Sequence, residues 1–242
     1  MTNTIADYHL GLVLLSYAVS VLGALTGLFV ASYIRREHGG AHFGWLLLAA
    51  VLIGGCAIWS MHFIGMLAYD PGTPIAYDTR LTGISLVIPI VFAFFGLYCV
   101  TRWWENLPAI LIAGVITGLG VASMHYMGMA SVRIEAYMHH DPFIVGLSVV
   151  IAILASIAAL YVVVHVRGPL RYASSLVMGL AVCGMHYTGM AAMELEPADI
   201  EVEFFAGALS PSLMAVAVTL AVGATCAIGG IVAGSRWIEE RG

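Results

Sequence analysis

Three short stretches of this sequence carry one arrangement of imidazole and thioether groups. Gly55 leads to Met61-His62-Phe63-Ile64-Gly65-Met66, and Gly118 leads to Met124-His125-Tyr126-Met127-Gly128-Met129. Gly179 leads to Met185-His186-Tyr187-Thr188-Gly189-Met190, and the three align without gaps, their histidines 63 and 61 residues apart. Neutral imidazole is a metal ligand, and thioether sulfur selects copper(I). Of the 12 methionines, seven lie in these motifs, Met127 included. His62, His125 and His186 are therefore candidate metal ligands, with Met61, Met66, Met124, Met129, Met185 and Met190 as candidate companions. Copper is the preferred ion. Haem with His or Met axial ligands stays open, because glycine stripes accommodate a flat macrocycle as readily as a close helix contact. Zinc stands third.

The elements that position these residues are membrane helices. The chain has 242 residues, 61% hydrophobic and only 10% charged, with mean hydropathy +0.98. A soluble domain carries about 25% charged residues, so a soluble enzyme and a disordered chain are both excluded. A net charge of -5 with no basic patch also speaks against nucleic acid as a partner. Seven stretches reach the length of about 20 apolar residues that a spanning helix needs. They are 9–33, 42–69, 82–103, 107–131, 142–166, 169–193 and 212–237. A membrane barrel would instead alternate apolar and polar residues. The expected fold is all-α, a single domain over 1–242: a seven-transmembrane-helix bundle built from three two-helix repeats plus a seventh helix. Pro89 is expected to kink the third span. The tryptophans, Trp45, Trp59, Trp103, Trp104 and Trp237, read as an interfacial belt. The four cysteines sit in apolar runs and suggest no disulfide framework.

Loop charges orient the bundle. Arginines 35, 36, 102, 167, 171, 236 and 241 fall on one side, and only Arg80 and Arg133 on the other. The positive-inside rule then puts the N-terminus outside and the C-terminus in the cytoplasm. The acidic loop with Glu194, Glu196, Asp199, Glu201 and Glu203 agrees. Asp70, Arg133 and Glu194 each lie eight residues beyond a motif histidine, roughly 12 Å along a helix. All three motif helices run the same way, so the histidines should share one level in the outer half of the membrane. At 100° per residue, Gly55, Gly118 and Gly179 lie about 20° from their histidines, and Gly65, Gly128 and Gly189 about 60° on the other side. These glycines are expected to pack helices closely or to line the site. Tyr126 and Tyr187 follow their histidines and are expected as packing or site-lining residues. Phe63 takes that place in the first repeat, so a tyrosine ligand would be available twice but not three times. Three histidines facing one axis should be neutral, and ionisable groups inside a membrane are functional by default. His38, His42 and His165 read as interfacial. His9, His139 and His140 read as solvated loop residues, with an entry-path or ligand role as the alternative.

At these residues the chain resembles the MHYT family, bacterial integral membrane sensor modules whose name spells Met185-His186-Tyr187-Thr188. The second motif reads Met-His-Tyr-Met and the first Met-His-Phe-Ile, and the resemblance covers essentially the whole chain. It implies seven spans with the motifs near the outer face of the bacterial inner membrane. It also implies a sensor of a diatomic gas (oxygen, carbon monoxide or nitric oxide) working through bound copper. By position, His62, His125, His186 and some of the six methionines would be its ligands. Members continue into cytoplasmic output domains, so a C-terminal output domain or a partner protein is expected after Gly242. A homodimer is allowed. Three other readings stand beside copper-based sensing: a haem-based version of the sensor, a copper carrier, and a zinc-dependent intramembrane hydrolase. No carboxylate lies inside a span to serve as general base, so the chain is not expected to be an enzyme. A copper path across the membrane would need ligands at several depths, and the inner halves of the motif helices lack Met and His apart from Met178 and His42 near the ends.

Overall fold

A computed structural model of the chain describes residues 8–34, 41–197 and 207–239. Arg35, Arg36, His38, Asp199, Glu201, Glu203, Arg241 and Gly242 lie outside the described residues, as do the side chains of Arg236 and Trp237.

Seven long helices run through it. They are α1 (Leu10–Ala31), α2 (Phe43–Ala68), α3 (Thr79–Arg102), α4 (Leu107–Ala130), α5 (Pro142–His165), α6 (Pro169–Ala191) and α7 (Pro211–Glu239). Each matches an expected span to within about three residues. All but α6 meet both length and hydropathy for crossing a membrane. Arg171, Ser174, Ser175, His186 and Thr188 make α6 less apolar. The starts are set by local chemistry. The Asp78 and Asp141 carboxylates each accept two backbone N–H groups at the heads of α3 and α5, and the Asn106 side chain accepts one at α4. Proline occupies the first turn of α4, α5 and α6, where its missing N–H costs nothing. Pro89 lies within an unbroken α3.

The helices α1 to α6 form a closed ring in chain order, with α6 packed back on α1. Motif helices α2, α4 and α6 alternate with α1, α3 and α5. Helix α7 lies outside the ring against α1 and α2. Leu14, Val87, Leu154, Leu180 and Leu220 are among many exposed apolar side chains on the ring and on α7, as a lipid-facing surface requires.

Helix α2 differs from its two counterparts. Its middle, Leu52–Ser60, is a π-helix between two α segments. Carbonyls in this turn accept from serines: Ala57 from Ser20 of α1 at 2.8 Å and Gly55 from Ser60 at 2.9 Å.

One end of the ring is capped by short strands, an addition to the expected all-helical picture. Strand β1 (Ala76–Asp78) pairs antiparallel with β2 (Val132–Arg133) and β5 (Ala208–Leu209). Strands β3 (Ala136–His140) and β4 (Met193–Pro197) form a separate antiparallel ribbon. Arg80 and Arg133 lie at this capped end. Arg102, Arg167 and Arg171 lie at the opposite end.

Candidate metal centre

The three motif histidines meet on the axis of the ring, each 0% exposed. Their Nδ1 atoms form a nearly equilateral triangle: His62 to His186 at 3.1 Å, His62 to His125 at 3.2 Å and His125 to His186 at 3.3 Å. The rings stand nearly perpendicular, with centroids 4.9, 5.0 and 5.2 Å apart. The equal-depth reading of the sequence is realised as direct contact.

Glycine makes that contact possible. A Cβ on Gly65 would collide with Nε2 of His186, one on Gly128 with Nε2 of His62, and one on Gly189 with Nε2 of His125. Each motif helix gives one imidazole to the axis and one bare backbone patch to the next imidazole. The relation closes on itself around the three helices. Small side chains let helices approach in a membrane; here the absence of a side chain admits a ring.

Gly55, Gly118 and Gly179 do not line the centre. Gly118 lies tight against the backbone of Ala152 and Ile153 in α5, and Gly179 against Tyr17 and Val21 in α1. Gly55 meets only the ends of Leu86 and Ile90 in α3, at ordinary contact distance. The close approach in that repeat passes to Gly54, whose Cβ would strike the backbone of Pro89 and Ile90. The wider π turn, with its i→i+5 bonding, shifts the phase by one residue. So the downstream glycines face the histidines, and the upstream ones hold each motif helix to an outer helix.

The motif tyrosines turn their hydroxyls away from the triangle. The Tyr126 and Tyr187 rings pack edge-on against His125 and His186 at 4.8 and 4.7 Å. Their hydroxyls reach Ser148 at 2.6 Å and Ser16 at 3.0 Å on the neighbouring outer helices. Those serines already donate to carbonyls three residues back, Val145 and Val13, so the phenols donate. In the first repeat Phe63 holds the same place against His62 at 4.8 Å. The corresponding Ser85 instead accepts from Trp59 Nε1 at 3.1 Å while donating to Thr82. Trp59 is therefore a buried residue and not part of an interfacial belt, since its N–H is needed inside. The serine positions were missed in the sequence, although Ser85 and Ser148 both lie 23 residues beyond a motif histidine.

Met61, Met66, Met124, Met129, Met185 and Met190 are all buried. Apart from Met61, they belong to the apolar cluster at this end, together with Phe63, Tyr77 and Met193. Above them, Tyr77 packs its ring on Phe63 at 5.7 Å. Burial holds its phenol above the ordinary range. Asp78 accepts from the Leu81 and Arg80 N–H groups and pairs with Arg133 at 2.6 Å. These bonds, that to Leu81 foremost, hold its carboxyl below its usual range. His9 and His42 precede α1 and α2, and His165 stacks on Tyr161 at 4.3 Å. None of the three reaches the centre.

The triangle tests what can sit there. Each Nδ1 of a neutral imidazole is either N–H or lone pair. Around three mutual contacts the two states cannot alternate, so at least one edge must oppose like with like. Three lone pairs turned to one cation remove the conflict. The edges of 3.1–3.3 Å are close to the about 3.3 Å separating two nitrogens on a tetrahedral ion with 2.0 Å bonds. With Nδ1 as donors the protons sit on Nε2, and no Nε2 of the three has a hydrogen-bond partner among the described residues. The donor set is buried, nitrogenous and free of carboxylate among the described residues. It fits a soft or borderline ion.

A six-helix ring with a buried histidine triangle, one imidazole per two-helix repeat, and a seventh helix alongside is the framework of a multi-pass membrane protein. The bacterial signalling protein N-terminal repeat called MHYT matches residues 55–113, 118–174 and 179–237, and the chain belongs to the MHYT family. It is 37% identical over 199 residues to the bifunctional diguanylate cyclase/cyclic di-GMP phosphodiesterase MucR of Pseudomonas aeruginosa, which covers 78% of this chain and 28% of the relative. It is 34% identical over 209 residues to the cyclic di-GMP phosphodiesterase NbdA of the same organism, covering 83% and 26%. It is 32% identical over 185 residues to the signaling protein YkoW of Bacillus subtilis, covering 72% and 23%. The chain thus spans about a quarter of the length of these relatives. No solved structure matches it.

Proposed function

We propose that this chain is a membrane-embedded sensor module that holds a copper ion on His62, His125 and His186 and reports a diatomic gas or redox change to a cytoplasmic output. The observation that carries this reading is the Nδ1 triangle of 3.1–3.3 Å edges, with each imidazole seated against a glycine of another motif helix. Three neutral nitrogens with buried thioethers nearby suit cuprous copper. The three rings touch one another directly, with Nδ1 edges of 3.1–3.3 Å, which leaves no gap for a macrocycle between them. The perpendicular rings and short edges favour a bare ion over haem. Copper(I) held on His62, His125 and His186 would supply an electron-rich centre suited to a diatomic gas.

The positive-inside rule, applied to the described Arg102, Arg167 and Arg171 against Arg80 and Arg133, supports the strand cap lying outside. Signal relay follows from the packing. A ligand changes the preferred spacing of α2, α4 and α6 only by its differential affinity for the two arrangements, and a coupling of about 1–3 kcal/mol is ordinary. Helix α7 touches α2 at the π-helix and the turns after it, so a shift in α2 reaches α7. Relatives carrying cyclic di-GMP activities in their names make a cyclic di-GMP enzyme the output that this reading expects.

Metal analysis with absorption spectra on the purified chain, in wild type and in a His62→Ala/His125→Ala/His186→Ala variant, tests the proposal. Copper retained by the wild type and lost from the variant is expected. Equal copper in both, or a Soret band in the wild type, overturns it.

A further inference from the structure

The inner face of the β3–β4 ribbon holds donors that the triangle does not use. Along β3, Tyr137 and His139 are exposed while Ala136, Met138 and His140 turn inward. His139 faces Glu196 at 3.6 Å on the outer face. Across the ribbon, His140 pairs in register with Met193. Directly opposed residues of an antiparallel pair put their side chains on one face, with Cβ atoms about 4.5–5.5 Å apart. Met193 is 2% exposed. Met138 and His140 also line a cleft of about 590 Å³ with Tyr126, Arg133 and the motif residue Met129. Nε2 of His140 is buried and has no partner among the described residues. An orphaned buried nitrogen is costly unless something fills it. The solvated-loop reading of His140 thus gives way to that of a half-buried residue. Its ring stands 6.0 Å from Tyr126, and Tyr126 stands 4.8 Å from His125.

We infer that His140, Met193 and Met138, with Met129 below them, form a second site for a soft monovalent cation, an acceptor that loads the histidine triangle. One imidazole and two or three thioethers select cuprous ion or silver(I) over zinc and the hard divalents. Met138, His140 and Met129 line the cleft, with Met193 buried against His140 across the ribbon, whereas the triangle histidines are fully buried. An ion arriving at the capped end meets the ribbon first. Transfer is ligand exchange of one unchanged cation, with no electron moved. The inference rests on the triangle's being a metal site, and its test separates the two.

Silver(I), a redox-inert probe, is titrated into the full chain in lipid nanodiscs. Methyl NMR follows the methionines, and bound silver is counted. The proteins are wild type, Met138→Leu/His140→Asn/Met193→Leu, and the triple-alanine triangle variant. In the wild type, the Met138, Met193 and Met129 methyl signals move at the first additions, before those of Met61, Met66, Met124, Met185 and Met190. The ribbon variant binds one silver fewer and fills the triangle roughly tenfold more slowly, the scale of outer-shell effects on metal sites. The triangle variant still shifts Met138 and Met193, which would hold even if the triangle itself took no metal. Met138 and Met193 signals that stay put in the wild type, or a ribbon variant with unchanged count and filling rate, overturn the inference while leaving the triangle untouched. The NMR arm on the wild type needs no substitution to fold.

Discussion

The first repeat and the other two solve the same problem differently. Repeats two and three are plain α-helix through the motif, and a tyrosine ties each to the next outer helix, Tyr126 to Ser148 and Tyr187 to Ser16. The first repeat has a π-helix, a phenylalanine in place of tyrosine, and Trp59 reaching Ser85 instead. It is also the repeat on which α7 docks. What meets at the axis in all three is the histidine and the glycine three residues beyond it. The centre therefore needs threefold equivalence only at the imidazoles and their glycine seats. The surrounding ties can vary, and the variation falls where a signal would have to leave the symmetric core.

The largest effect should come from the seats. Ala at Gly65, Gly128 or Gly189 drives a methyl into an imidazole, so that ring must leave the triangle. Overpacking of this kind costs about 1–3 kcal/mol, and all three variants should lose stability and metal alike by unfolding midpoint and metal count. A tolerated Gly65→Ala beside two failures would show that the π-helix absorbs the strain, sharpening the contrast between repeats.

Next in size is Phe63→Tyr. Ser85 already accepts from Trp59, so the new hydroxyl would be buried among Trp59, Tyr77 and His62 and would compete with the Trp59 N–H for Ser85. A loss of about 1–3 kcal/mol is expected, and pairing the change with Trp59→Phe should recover part of it by freeing Ser85. Stability gained from Phe63→Tyr alone would break the account. Tyr126→Phe and Tyr187→Phe each remove one neutral hydrogen bond and should cost about 0.5–1.5 kcal/mol, with metal retained.

The smallest effect concerns the cap. The Asp78 carboxyl is held below its usual range, so the pairing it supports is present above the ordinary carboxylate pKa and is lost as pH falls through its lowered value. Hydrogen-exchange protection at Tyr77 and Val132, taken relative to the intrinsic amide rate at each pH, should fall at acid pH, and Asp78→Asn should remove most of that pH dependence.

Several features were readable in the sequence for simple reasons. Hydropathy bounds the spans because each is lipid-length. Equal numbers of residues from each histidine to the next charge place the histidines at one depth. Other features were not. Gly55 and Gly65 both lie within about 60° of His62 on a helical wheel, and nothing local says which one meets an imidazole. Trp59 looks like a belt residue until Ser85 is seen beside it. His140 sits in a five-residue strand whose two-residue period is too short to stand out between two helices.

By itself, the sequence determined seven helices, their repeat and the level of three imidazoles, because rise per residue and hydrophobic length are properties of a single segment. Only the tertiary structure decided which glycine seats which ring, which serine takes which phenol, and that His140 and Met193 face each other. Those depend on how each helix is rotated about its own axis and on which neighbour it finds, and close packing among all the helices sets both at once.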